Sequence, residues 1–290
     1  METRTLEWNW QGETIRIGAD SSGSEPKVLL LPALSSISTR HEMRQLQHRL
    51  AEQYSTICVD WPGFGNHARP RVDWRPAAYS AFLSFLLTAV VPHPCAIIAA
   101  GHAATYALKH TTSTPQAILR LVMIAPTWRG PLPTMMGGHR PFLDRLCRLV
   151  DLPALGTLIY RLNVNATVVR RMGAGHVYTD ATFLTGERLR DKLDVVRAPG
   201  ARFASVRFVS GYLDPLDSRD EFLDLARRTT VPILLIYGAD TPRRSRAEME
   251  ALAALPGVRS VRLPRGKLSL HEEFPDAVME SVAPFLSAVI

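Results

Sequence analysis

Apolar residues along the chain recur either in short runs typical of strands or with the 3.6-residue period typical of helices. Alternation at 5–10 and 13–17 predicts two strands that form a hairpin around Gln11-Gly12. Further predicted strands lie at 27–31, 55–60, 95–100, 118–125, 208–210, 231–237 and 258–263, and predicted helices at 39–51, 73–90, 103–110, from 218, from 245 and at 275–289. This alternation predicts an α/β fold with a mostly parallel central sheet flanked by helices.

The pattern changes between residues 127 and 207, where Arg-rich helical pieces are interrupted by Pro and Gly and 130–141 has the composition of an irregular loop. We therefore predict a core domain made of 1–126 and 208–290, with an inserted helical lid, here called the cap, at 127–207. Charge follows the same division. Segment 127–213 holds 13 Lys or Arg against 6 Asp or Glu, whereas the rest of the chain has 21 of each. The whole net charge of +7 therefore lies in or beside the cap, where an acidic protein or an anionic membrane surface could bind.

Composition excludes several classes of protein. With 46% hydrophobic and 21% charged residues the chain is not disordered, and its most apolar stretch is interrupted by polar residues and prolines. Cys58, Cys95 and Cys147 are widely spaced and the N-terminal residues lack a secretory pattern, so we expect a cytoplasmic protein. No spacing typical of a metal site, a dinucleotide or phosphate loop, or a nucleic-acid-binding surface is present, and no cofactor is expected.

Three motifs follow predicted strands, where parallel sheets bind their ligands. They are Asp-Trp-Pro-Gly-Phe-Gly-Asn-His-Ala-Arg-Pro at 60–70, Gly-His-Ala-Ala-Thr at 101–105 and His-Glu-Glu-Phe-Pro at 271–275. With these motifs the chain resembles the α/β-hydrolase superfamily in its lidded form, over nearly all of its 290 residues. The resemblance implies an α/β-hydrolase fold and a triad of serine, histidine and acid at the sheet edge.

The resemblance also implies that the triad is degenerate. Aligning G-x-S-x-G with 101–105 puts a methyl side chain at the nucleophile position, and the acid and histidine positions also hold other residues. The triad-equivalent positions are Ala103, Thr241 and Leu268. Other candidates for acid–base chemistry are Asp214, Asp240, one residue before the expected acid, and His271, three residues after the expected histidine.

The supporting positions differ as well. Pro32-Ala33 replaces the His-Gly of the oxyanion loop, and Thr105 replaces the second glycine of the pentapeptide. The backbone amides of an oxyanion site do not depend on side chains, so we expect a ligand to bind near this turn. The predicted ligand-binding residues are Ala33, Leu34, His67, His102, Ala103 and Ala104.

Three functions remain open at this point. The first is a non-hydrolytic protein, for which serine hydrolase activity is not expected, that binds a small or lipid-like acyl or carbonyl ligand in a lidded pocket. The second is an esterase or lipase, either one whose catalytic serine was replaced by Ala103 or one that uses Asp214 and His271 with water. The third is an interaction protein that docks through its basic cap.

Overall fold

An eight-stranded sheet forms the centre of the computed structural model, which describes residues 1–23, 25, 27–114 and 118–288. The strand order is β1-β2-β4-β3-β5-β6-β7-β8, and every neighbouring pair from β4 onward is parallel. The hairpin β1–β2 joins β4 in antiparallel register. The strands are β1 Glu2–Trp10, β2 Glu13–Ser22, β3 Lys27–Leu31, β4 Ser55–Val59, β5 Ala96–Ala100, β6 Leu121–Ile124, β7 Ile233–Gly238 and β8 Val258–Leu263.

Helices cover the sheet and form the cap. Those of the core are α1 Arg44–Leu50, α2 Pro76–Phe85, α3 His102–Ser113, α10 Arg219–Arg228, α11 Arg243–Ala253, α12 Leu270–Glu273 and α13 Pro275–Ser287. Those between β6 and α10 are α4 Pro131–Met136, α5 Phe142–Asp151, α6 Leu155–Asn163, α7 Ala166–Met172, α8 Gly186–Arg197 and α9 Ala201–Val209. A 3₁₀ turn at Arg40–Met43 precedes α1, and π-helical turns at Leu86–Val90 and Gly173–Val177 follow α2 and α7. None of the described helices combines the length and the apolar character needed to cross a bilayer.

The structure corrects two of the predicted elements. The predicted strand at 208–210 is the end of α9, because Phe208 and Val209 continue the helical pattern that begins at Ala201. Part of the predicted loop at 130–141 is helix α4, which begins at Pro131, a residue well suited to the first turn of a helix. The last residue of the helix predicted at 275–289 lies outside the described residues.

Burial on both faces explains why the central strands are continuous apolar runs. All residues of β5, β6 and β7 are buried, as a parallel sheet covered by helices requires. A second, smaller cluster of buried apolar residues lies within the cap, around Tyr178 and Leu193. The cap therefore has packing of its own in addition to its contacts with the core.

The motif at 60–70 connects these two parts. Asp60 forms a buried ion pair with Arg40, with 2.7 Å between Oδ2 and Nη1, and Gly65 has a φ of +78° with no room for a Cβ beside the Asp60 side chain. Arg69 donates from Nη2 to the carbonyl of Val195 in α8 at 2.7 Å. Burial lowers the pKa of Arg69 to about 10. The most specific motif of the chain is thus a structural bridge between sheet and cap.

Candidate functional site

A strained turn joins β5 to α3 at Gly101. Its φ is +54° and its ψ is −127°, a combination that residues with a Cβ adopt only at an energetic cost. A Cβ built on Gly101 would lie 3.3 Å from the Cβ of Ala33 and 3.9 Å from Oγ1 of Thr127. In α/β hydrolases the nucleophile occupies such a strand-to-helix turn. The residue with this geometry here is Gly101, which has no side chain.

This turn corrects the predicted position of Ala103 by two residues. Ala103 and Ala104 lie inside α3 and are fully buried, and the Ala104 amide donates to the carbonyl of Gly101 at 3.2 Å. Neither alanine is among the residues that line the adjacent cavity in the described part of the chain. The backbone amide next to the turn belongs to His102, the first residue of α3, whose N–H has no acceptor within the helix.

A cavity of about 320 Å³ opens beside the turn. Most of its wall is apolar. Residues of the core and the cap both contribute to the wall, among them Ala33, Leu34, Gly101, His102, Thr127, Arg129, Met135, Met172, Phe208, Arg243, Arg244 and Leu268. This size and this mixture of apolar wall and few polar groups are typical of small-molecule sites.

Three arginines are the charged residues among those lining the cavity, Arg129, Arg243 and Arg244, and none of the described lining residues is acidic. The guanidinium of Arg129 lies over the Trp128 ring, 4.8 Å from its centroid, and its Nε is buried without a hydrogen-bond partner. An unpaired buried donor is costly, so an anion from a ligand would stabilise this side chain. The electrostatic character of the cavity is therefore positive.

A hydrogen-bonded chain of three side chains lies at the cavity wall. Nε2 of His102 is 3.0 Å from Oδ1 of Asp214, and Nδ1 is 3.2 Å from Oγ1 of Thr127. His102 is 1% exposed and its ring meets Phe208 edge-on. With Asp214 ionised, Nε2–H donates to the carboxylate and Nδ1 accepts from the Thr127 hydroxyl. The Asp214 carboxylate also accepts from the amide of Gly130 at 2.8 Å, which fixes its position.

The other acid–base candidates do not join this chain. His271 is fully buried and its Nε2 is 3.4 Å from Oε1 of Glu42, so the suggested pair of Asp214 with His271 is not formed. Asp240 accepts from the Gly266 amide at 3.1 Å and from the Thr179 hydroxyl at 3.2 Å, which ties the loop after β7 to the cap.

Two triad-equivalent positions hold side chains without acid–base chemistry. Thr241 is buried in the turn before α11, and its Oγ1 has no hydrogen-bond partner among the described residues. Leu268 lines the cavity with an apolar side chain. Predicted site residue His67 lies half-buried on the 60–70 loop, outside the described cavity wall, and burial lowers its pKa. The predicted oxyanion site is thus reduced to the groups around Leu34, Gly101 and His102.

A group of buried ion pairs, here called the ionic seam, joins the core to the cap through Glu42, Lys192 and Glu272. Glu42 lies within the 3₁₀ turn Arg40–Met43, and its Oε1 accepts from the amide of Ala33 at 2.6 Å. Its Oε2 is 3.7 Å from Nζ of Lys192 in α8, and the same Nζ is 3.2 Å from the carboxylate of Glu272. Because the Ala33 amide is bound to Glu42, it is not available to a ligand, although Ala33 lines the cavity.

The charges of this seam stabilise one another. Burial alone would raise the pKa of Glu42, but the neighbouring His271 and Lys192 hold it below its ordinary value. Burial would likewise lower the pKa of Lys192, yet Glu272, Tyr178 and Glu42 raise it above its ordinary value. Both side chains are therefore charged at neutral pH. Among the described residues, no group of three or more His, Cys, Asp or Glu is arranged to hold a metal ion.

Sequence reasoning missed Thr127, Arg129 and Glu42. Thr127 follows β6 and Arg129 lies two residues further, so a search after each strand end could have included both. Glu42 carried a weaker signal, because its partners Lys192 and Glu272 are far away in the chain.

Known proteins similar to this chain share its fold. A hydrolase from Pseudomonas aeruginosa PA01 superposes with a TM-score of 0.74 at 18% identity, covering 98% of each chain. The haloalkane dehalogenase DatA from Agrobacterium tumefaciens C58 superposes with a TM-score of 0.74 at 13% identity, covering 99% of this chain and 97% of that one. An uncharacterized protein of Mycobacterium tuberculosis strain H37Rv is 25% identical over 243 residues, which are 81% of this chain and 68% of that protein.

The sequence profile of the alpha/beta hydrolase family matches residues 28–281 of the chain. This range begins in β3, includes the turn after β5 and the cap, and ends within α13. The chain belongs to the alpha/beta hydrolase family, with a glycine at the strand-to-helix turn that follows β5.

Proposed function

We propose that the protein binds a small, mainly apolar acyl compound that carries a carboxylate, and that no covalent acyl-enzyme forms at the turn after β5. One observation carries this proposal: the turn with nucleophile geometry is Gly101, beside a cavity lined by three arginines. A glycine cannot attack a carbonyl, whereas the cavity still offers an apolar wall and positive charge.

The polar groups define how the ligand binds. Its carboxylate faces Arg129, whose Nε has no hydrogen-bond partner among the described residues. The backbone N–H groups of His102 and Leu34, two residues of the same wall, can donate to the second carboxylate oxygen. The apolar part of the ligand contacts Met135, Met172 and Phe208. An uncharged ester of the same chain length lacks the charge-assisted bond and binds more weakly.

Calorimetric titration with medium-chain fatty acids and their methyl esters tests this function. We expect saturable binding of an acid with at least tenfold preference over its ester, and a loss of about tenfold or more for Arg129→Gln. Arg188→Gln is the matched control, because Arg188 also lies over an aromatic ring, that of Phe183, but outside the described cavity wall. Equal binding of acid and ester, or equal loss in both variants, would overturn the proposal.

Hydrolysis through a different hydroxyl is the second candidate, favoured by the chain of Thr127, His102 and Asp214. In this reaction the Thr127 hydroxyl passes its proton to Nδ1 of His102 while its oxygen forms a bond to the ester carbonyl carbon. The alcohol then leaves with that proton, and water releases the acid from Thr127. Turnover of short p-nitrophenyl esters that is lost in Thr127→Val would favour this candidate over simple binding.

A further inference from the structure

The outer face of the cap, formed by α5, α6 and α7, exposes an unusual share of the large apolar side chains. Twelve such side chains are exposed in the described part of the chain, and nine of them lie between residues 135 and 172. Helices α5 and α6 pack against each other, so their exposed residues are neighbours on the surface. Concentrated exposure of this kind marks an interaction surface.

Helix α6 shows the feature most clearly. Leu155, Leu158 and Leu162 have the spacing of one helix face and are 47%, 56% and 66% exposed. The opposite side of the same helix is buried through Gly156 and Tyr160. The helix therefore packs on the cap through one face and presents a leucine stripe to solvent through another, so the stripe is not needed for folding.

Exposed basic residues lie on the same helix and on the helices before and after it in the chain. Arg145 and Arg148 on α5 and Arg161 on α6 are exposed, as are Arg170 and Arg171 on α7. The acidic residues between positions 135 and 172 are Asp144 and Asp151. Asp151 is paired with the guanidinium of Arg207 at 2.7 Å, and Asp144 lies 3.3 Å from Nε2 of His139. The surface is thus both apolar and positively charged.

We propose that this outer face of the cap docks on an anionic phospholipid bilayer. Leucines set among arginines fit a surface with acyl chains beneath negatively charged headgroups. A second copy of the chain fits less well, because a symmetric contact would bring the same arginines face to face. The helices lie along the bilayer surface.

Two exposed methionines of the cap, one on α4 and one at the end of α7, also belong to the cavity wall. Met135 and Met172 line the cavity and are themselves 51% and 38% exposed. Exposed apolar residues of the cap therefore reach the edge of the cavity. Docking itself rests on the surface alone and does not depend on the ligand proposed above.

Sedimentation with vesicles tests the proposal on the whole protein. Vesicles of phosphatidylcholine with about 30% phosphatidylglycerol should bind the protein, and vesicles of phosphatidylcholine alone should bind it at least about tenfold more weakly. Raising the salt from about 20 mM to about 150 mM should weaken binding to the anionic vesicles, because the attraction between arginines and headgroups is screened.

Matched variants distinguish docking through this surface of the cap from nonspecific binding to vesicles. Leu158→Asp combined with Leu162→Asp should lower the vesicle partition coefficient by about tenfold or more, whereas Leu119→Asp, at a residue 57% exposed outside the cap, should leave it unchanged. Arg148→Gln should lower it by about fivefold, and Arg228→Gln on α10 should not. Circular dichroism spectra and melting curves check that each variant folds.

Two outcomes would overturn the proposal. One is equal binding to neutral and anionic vesicles, or equal losses in the cap variants and their controls. The other is a concentration-dependent dimer in analytical ultracentrifugation that the double leucine variant dissociates, because a second copy would then cover the face. Ligand titration of the double leucine variant without vesicles should match the wild type, so failure of docking is distinguishable from failure of ligand binding.

Discussion

The buried charges between the cap and the core and in the 60–70 loop have ionic partners, whereas the turn after β5 has no side chain. Lys192 has Glu42 and Glu272 as partners, and Asp60 has Arg40. At the cavity floor the turn is Gly101. Because a buried charge without a partner is strongly destabilising, the ion pairs are strict requirements of the fold. The contacts between the cap and the core are therefore specified by more buried charges than the turn after β5.

Breaking the pair of Asp60 and Arg40 should have the largest effect on stability. Asp60→Ala leaves the buried Arg40 guanidinium with one carboxylate partner among the described residues, Asp20, so we expect a loss of about 3 kcal/mol in the free energy of unfolding. Urea denaturation measures this loss in the free energy of unfolding. The exposed pair of Asp224 with Arg228 is the control, and Asp224→Ala should cost less than about 0.5 kcal/mol. Similar losses at both sites would remove the distinction between buried and exposed pairs.

Lys192→Gln should have the next largest effect, because it removes the cationic centre of the seam between cap and core. We expect a loss of about 2 kcal/mol and faster proteolysis within the cap. Lys27→Gln is the control, since Lys27 pairs with Glu25 on the surface and should cost almost nothing. Unchanged proteolysis in Lys192→Gln would mean that apolar packing alone holds the cap.

Acid should weaken the same seam. The pKa of Glu42 is lower in the folded protein than its ordinary value, so its contribution to stability is present at neutral pH and is lost as the pH falls through the folded-state pKa. The stability difference between the wild type and Glu42→Gln should therefore be constant above about pH 5 and should shrink as the pH falls below that value. Denaturation curves at each pH measure this difference, and a value that stays constant at low pH would contradict the assignment.

Gly101→Ser tests the turn after β5, and it should have a smaller effect on the free energy of unfolding than the loss of a buried ion pair. The positive φ and the contact with Ala33 predict a loss of about 1–2 kcal/mol, more than for Gly137→Ser, where the φ is +76° but no atom lies within 4 Å of the added Cβ. We expect no ester hydrolysis, because Leu268, the residue predicted for the histidine position, contributes only an apolar side chain to the cavity wall. Ester hydrolysis by Gly101→Ser would show that a general base already lies within hydrogen-bonding distance of the new hydroxyl.

Much of the fold could be predicted from the sequence, because buried parallel strands are continuous apolar runs and because the glycines of the 60–70 loop have few alternatives. The strand predicted at 208–210 was wrong since a short apolar run also ends an amphipathic helix, as in α9. The prediction of strand or helix was thus most reliable where a strand is buried on both faces.

The site was harder to predict. Gly101-His102-Ala103 begins with a glycine, as G-x-S-x-G does, and the predicted nucleophile position therefore fell on Ala103, two residues after the strained residue Gly101. The end of the apolar run at Ala100 was the signal that the turn begins at Gly101. Contacts such as that of Thr127 with His102 join separate strand ends, and spacing along the chain does not encode them.

Intact-mass spectrometry combined with ligand titration is the most direct test that the protein binds an acid without forming a covalent acyl-enzyme. The protein is treated with a fluorophosphonate and with an activated p-nitrophenyl ester, and the same preparation is titrated with a medium-chain fatty acid. We expect saturable binding of the acid and no covalent adduct with either reagent. An adduct that maps to the cavity wall, at Thr127 above all, would contradict it.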